Sequence, residues 1–132
     1  MVKTKKILIV DDEPVITSTL KKKLEEFQGP GGKARLFEVD TINDPESVLS
    51  SYKPGFYDLL IIDIRMPKIE GFELYDKIKQ IDKKVKVCFS SALSINYQAL
   101  RIMFPFLDIE CYIPKPIEID DLVERINAEV PD

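Results

Sequence analysis

The sequence predicts an α/β domain built around a parallel β-sheet, and three observations carry that prediction. The run Leu59-Leu60-Ile61-Ile62 is continuously apolar and leads straight into Asp63, with Pro67 stopping it four residues on. An apolar run of that length, bounded by turn signals, reads as a strand buried on both faces. Strand-like and helix-like stretches alternate strictly through the 132 residues, which is the pattern of βα units. The strand-like runs also end in polar residues: Asp11-Asp12, Asp63, Ser90-Ser91 and Lys115. A parallel sheet gathers all its carboxyl ends on one edge, where open α/β sheets bind their ligands.

Each element follows from local pattern. Lys5–Val10 is the first strand, with Ile7-Leu8-Ile9-Val10 as its apolar centre. Pro14 suits the first turn of a helix, and Ile16, Leu20, Leu24 and Phe27 mark one face of it, leaving Lys21, Lys22 and Lys23 as a solvated face. The stretch 28–33 holds three of the five glycines. No Lys-Ser/Thr and no helix follow it, so it is not a phosphate-binding loop. Ala34–Thr41 is the second strand. Asp44 is placed to cap a short helix with Pro45 at its first position, ending near Lys53-Pro54-Gly55. After the strand carrying Asp63, a helix runs from about Phe72 to Asp82 with Leu74, Ile78 and Ile81 inward. Val85–Phe89 is the fourth strand. A fourth helix spans about Ile95 to Phe104 and is ended by Pro105. Ile109–Ile113 is the fifth strand. The last helix, about Glu118 to Glu129, turns Ile119, Leu122, Val123 and Ile126 inward.

Composition bounds the function. At 132 residues the chain reads as one domain, 1–132, with a respectable core. Its net charge of −4 argues against nucleic acid as a direct partner. It contains no apolar run of membrane-spanning length and no signal peptide, so a cytoplasmic protein is expected. Cys88 and Cys111 lie in strand-like runs without metal-ligand spacing and are expected to be two buried free thiols.

The chemistry lies at the carboxyl edge. Three carboxylates brought together there, Asp11, Asp12 and Asp63, would repel unless a cation sat among them. A hard, oxygen-loving ion such as Mg²⁺ answers that, keeping several waters and leaving room for a phosphate. Lys115 adds a positive charge, and a serine hydroxyl can donate to a phosphoryl oxygen. The set suits phosphoryl transfer to a carboxylate.

These residues resemble the receiver domain of two-component response regulators, over nearly the whole chain from Lys5 to about Val130. Asp11 and Asp12 resemble the family's metal-site acids. Asp63, in Asp63-Ile64-Arg65-Met66-Pro67 with Gly71 following, resembles the phosphoacceptor. Ser91-Ala92 resembles the Thr/Ser-Ala step that contacts the phosphoryl group. Lys115-Pro116 resembles the family's lysine and its cis-proline, and Tyr112 its aromatic switch residue. The resemblance implies a doubly wound, flavodoxin-like (βα)5 fold with sheet order 2-1-3-4-5. It implies a Mg²⁺ site (Mn²⁺ as the alternative ion) that also uses the backbone carbonyl of Arg65. It implies a histidine kinase or phosphotransfer protein as phosphoryl donor, and a downstream protein or a second copy as the receiver of the signal. That signal would leave through the face formed by the fourth helix, the fifth strand and the last helix. Arg65 and Leu93, two positions after Asp63 and Ser91, would influence hydrolysis of the phosphate. Two departures stand out: Ser91 replaces the commoner Thr, and Leu107-Asp108-Ile109-Glu110-Cys111 replaces the Gly-Ala pair that often precedes strand five.

Two other readings stay open on the residues. One is an interaction module of the same fold that is never phosphorylated. The other is a haloacid-dehalogenase-type phosphatase using Asp11. That family wants a second Asp two positions later, where this chain has Glu13. On the receiver reading no independent substrate turnover is expected. The fourth helix carries two apolar stripes. Ile95, Ala99, Ile102 and Met103 are expected to bury against the sheet. Tyr97, Leu100 and Phe104, with Arg101 among them, form either a second packed face or a partner surface.

Overall fold

The computed structural model describes residues 3–29, 36–64, 71–91, 98, 102 and 111–131. Five strands form one parallel sheet: β1 (Lys5–Val10), β2 (Phe37–Ile42), β3 (Leu59–Asp63), β4 (Lys86–Ser91) and β5 (Tyr112–Pro114). Their order is β2-β1-β3-β4-β5, as the resemblance implied. The helices are α1 (Pro14–Glu26), α2 (Val48–Ser51, entered through a 3-10 turn at Pro45–Ser47), α3 (Gly71–Ile81) and a C-terminal helix (Ile119–Glu129).

The period of two along each strand divides the core into two layers. Leu8, Val10, Leu60, Ile62 and Phe89 face Val48, Phe72, Leu74 and Ile78 of α2 and α3. Ile7, Ile9, Leu59 and Ile61 face Leu20 and Leu24 of α1 and Leu122, Val123 and Ile126 of the C-terminal helix. The sheet is therefore wound on both sides. All five residues of β3 are buried, so each aliphatic there contributes about 2 kcal/mol of hydrophobic stabilisation. That makes β3 the anchor that presents Asp63. Among the described residues no helix is long and apolar enough to cross a membrane.

Several expectations are corrected. Cys88 and Cys111 are joined in a disulfide instead of being free thiols. Phe89 pairs with Tyr112 across the β4–β5 ladder, so Cys88 and Cys111 are lateral neighbours with Cα atoms 4.5 Å apart. Lys21 is only partly on the solvated face. Its ammonium donates to the carbonyl of Val39, while Glu25 accepts from the Val39 N–H at 3.0 Å. Two α1 side chains thus satisfy the outer backbone groups of Val39 in the edge strand β2, which would otherwise be open to pairing. Ile81, the last residue of α3, is half exposed.

Of the expected fourth helix, only Gln98 and Ile102 are described, both helical and both exposed. Residues four apart share a helix face, so Ile102, 79% exposed, belongs to the outer face and not to the inward stripe. Leu93, Ile95, Tyr97, Ala99, Leu100, Arg101, Met103 and Phe104 lie outside the described residues, as does Arg65. Pro114 closes β5 at the edge of the sheet, where its missing N–H is tolerated.

Candidate functional site at the carboxyl edge

The site is assembled from the ends of β1, β3, β4 and β5. After Val10 the chain leaves the sheet through Asp11, which is 3% exposed. The Asp11 N–H still donates to Ile42 at 3.2 Å, and its Oδ1 accepts from the N–H of Glu13 at 3.0 Å. This tight turn puts Asp12 half-buried at its apex and hands the chain to Pro14 at the start of α1.

Asp63 ends β3 at 5% exposure. Beyond it the Ile64 N–H donates to Ser90 at 2.9 Å, and the Gly71 N–H to Ile64 at 2.8 Å. The start of α3 is thereby folded back over the end of β3. A Cβ on Gly71 would meet the carbonyl oxygen of Asp63 and lie 2.9 Å from the Cα of Ile64, so only glycine permits this approach.

Ser90 and Ser91 end β4, both 2% exposed. The Lys115 N–H donates to the carbonyl of Ser91 at 3.0 Å, which ties the turn after β5 to the end of β4. The Lys115-Pro116 peptide bond is cis.

The side chains converge. Carboxylate oxygens of Asp11, Asp12 and Asp63 lie within 4.8 Å of one another. The Lys115 ammonium is 2.6 Å from Asp11 Oδ2 and 3.4 Å from Asp63 Oδ2. Burial alone would push the lysine pKa down. The hydrogen bond and charge of Asp11, with the charge of Asp63, outweigh that and hold it above the usual lysine value. An ammonium whose pKa is held above the usual lysine value stays protonated throughout the neutral range, so Lys115 is a fixed cation.

One lysine against three carboxylates leaves the cluster net negative, and every donor atom is a hard oxygen. That chemistry fits Mg²⁺ or Mn²⁺. Tyr112 is buried beside this set. Burial raises its pKa, against a lowering from the nearby Ser91 hydroxyl and a further raising by the charge of Asp63. Its own hydroxyl completes no hydrogen bond of standard geometry among the described residues.

The structure therefore brings together Asp11, Asp12, Asp63, Ser91, Lys115 and Tyr112. Sequence reasoning missed Asn43, whose side-chain nitrogen donates to the Asp11 carbonyl and to Thr17. Its signal was faint: a polar residue next to a helix cap, with nothing to say that β2 lies beside β1 in that register.

The family model for the response regulator receiver domain matches residues 7–127, from within β1 to within the C-terminal helix. Response regulator ArlR of Staphylococcus aureus is 30% identical over 122 residues, which are 92% of this chain and 51% of that protein. A protein-glutamate methylesterase/protein-glutamine glutaminase of Paramagnetospirillum magneticum is 28% identical over 92% of this chain but only 30% of its own length. The chain thus spans about half or less of these curated relatives.

Among solved structures, response regulator TrrA of Thermotoga maritima, in complex with Mg²⁺-BeF, is 33% identical at a TM-score of 0.73. The match covers 96% of this chain and 99% of that one. A CheY-like receiver domain protein of Methanospirillum hungatei is 26% identical at a TM-score of 0.77, covering 97% and 94%. The match takes in every element that builds the carboxyl edge, and this chain belongs to the response regulator receiver domain family.

Proposed function

We propose that this receiver domain, extending over residues 1–132, accepts a phosphoryl group on Asp63 from the phosphohistidine of a histidine kinase or phosphotransfer protein. The observation that carries the reading is the packing of three carboxylates within 4.8 Å of one another, two of them paired with Lys115. In this reading an Asp63 carboxylate oxygen attacks phosphorus and forms an acyl phosphate. The P–N bond to the donor imidazole breaks, and the imidazole leaves with its electron pair and takes up a proton.

Asp11, Asp12 and Asp63, with the backbone carbonyl of Arg65, would hold Mg²⁺. When bound, the ion supplies positive charge to the transferring phosphoryl oxygens. Lys115 supplies a second, fixed positive charge, and Ser91 a hydroxyl donor. The complex of TrrA with Mg²⁺-BeF supports the metal part of this assignment by family likeness. The Asp11-nucleophile alternative is disfavoured because Glu13 stands where that family wants a second Asp.

Once phosphorylated, the Ser91 and Tyr112 pair would rearrange. The change would reach a downstream protein or a second copy through the face around β5 and the C-terminal helix. Leu93 is apolar and cannot orient an attacking water, which favours a long-lived acyl phosphate. The reaction is proposed to be cytoplasmic, without independent substrate turnover.

The test is incubation with acetyl phosphate, read as intact mass. One phosphoryl group is expected with Mg²⁺ and none in EDTA. No gain with Mg²⁺, or equal gain without it, would refute the reading.

A further inference from the structure

One side chain outside the acid, serine and lysine set holds the acid turn in shape. Asn43 follows β2, half-buried. Its Nδ2 donates to the carbonyl oxygen of Asp11 at 2.9 Å and to Thr17 Oγ1 at 2.8 Å. An amide nitrogen has two hydrogens, and both are used. A backbone carbonyl can only accept, so the nitrogen must face Asp11. Thr17 is 1% exposed and passes the link on, donating to the carbonyl of Pro14 at 3.2 Å.

The turn from Asp11 to Pro14 is therefore held at both ends from a single side chain, directly at Asp11 and through Thr17 at Pro14. The Asp11 N–H is already fixed on Ile42, next to Asn43 in the chain. Asp12 lies between the two tethered carbonyls.

We propose that Asn43 is the positioning residue of the cation site, setting where the Asp12 carboxylate stands relative to Asp11 and Asp63. This rests on the reading of those three carboxylates as a divalent-cation site. Mg²⁺ demands near-ideal octahedral geometry at short range, so a carboxylate displaced by a fraction of an ångström binds it poorly. Asn43 acts through the backbone of the turn and leaves the carboxylate oxygens to the ion.

The experiment is calorimetric titration of the whole chain with MgCl₂, paired with thermal unfolding in EDTA, for wild type, Asn43→Ala, Thr17→Val and Asp12→Ala. Asn43→Ala should weaken Mg²⁺ binding roughly tenfold, the usual scale for groups that orient metal ligands. Thr17→Val removes the tether at Pro14 but keeps the bond to Asp11. It should lower the unfolding midpoint and weaken Mg²⁺ binding by clearly less than Asn43→Ala does.

Wild-type affinity in Asn43→Ala, beside a weakened Asp12→Ala, overturns the proposal alone. Equal weakening in Thr17→Val assigns the effect to general stability of the turn and also overturns it. Undiminished binding in Asp12→Ala overturns the cation-site reading and the proposal with it. If Asn43→Ala does not fold, Asn43→Ser, too short to reach Asp11, makes the same comparison.

Discussion

Asp63 shares its surroundings with two other carboxylates and one ammonium, and that imbalance has a consequence for stability. Like charges within 4.8 Å repel by about 3.5 kcal/mol at an effective dielectric of about 20, and Lys115 offsets part of that. Asp12 is the most exposed of the three and, among the described residues, is not the one paired with Lys115. Asp12→Ala should therefore make the metal-free chain more stable, by about 1 kcal/mol in urea unfolding with EDTA. It should also lose the further stabilisation that Mg²⁺ gives wild type by mass action. A less stable metal-free variant would contradict the electrostatic account. Asp11, Asp12, Asp63, Ser91 and Lys115 were legible in the sequence because each stands where an apolar run stops. Tyr112 was visible only through the family resemblance, since a buried aromatic in a strand otherwise reads as core. Asn43 was illegible: its role depends on where the end of β2 falls against β1, and alternation within a strand carries no information about a neighbour's register.

At the scale of elements, strands β1 and β3 and helix α1 matched their expected bounds closely, because long periodic or continuous apolar patterns are hard to misread. The β4–β5 pair was read less well. β5 has three residues, too few for a pattern, and the cysteine pairing could be found only from its register with β4. The Cys88–Cys111 bond spans a sequence separation of 23. In the chain-entropy view a loop of that size contributes about 3 kcal/mol. In a reducing cytoplasm the pair would open, and β5 would rest on its ladder with β4 and on the packing of Ile113. Reduction should thus lower urea-unfolding stability by up to about 3 kcal/mol without changing circular dichroism in the native baseline. Unreduced chain that reacts with iodoacetamide at two cysteines after unfolding would contradict the bond.

For the molecule as a whole, the doubly wound sheet brings four strand ends to one edge and buries everything behind them. The helices on its two faces make that edge stiff: β3 cannot shift Asp63 without disturbing both layers of core. The turn after β5 is laced to Ser91 through the Lys115 N–H; under the proposed function this is the route by which an event at Asp63 would reach β5 and the C-terminal helix. The role of Asp63 as phosphoacceptor is open to one decisive measurement: phosphorylating the chain with acetyl phosphate and Mg²⁺, reducing the acyl phosphate with borohydride, and locating the resulting homoserine by peptide mass spectrometry. Homoserine is expected at position 63 and nowhere else. Homoserine at position 11, or a borohydride-resistant phosphate on Ser91, would contradict it.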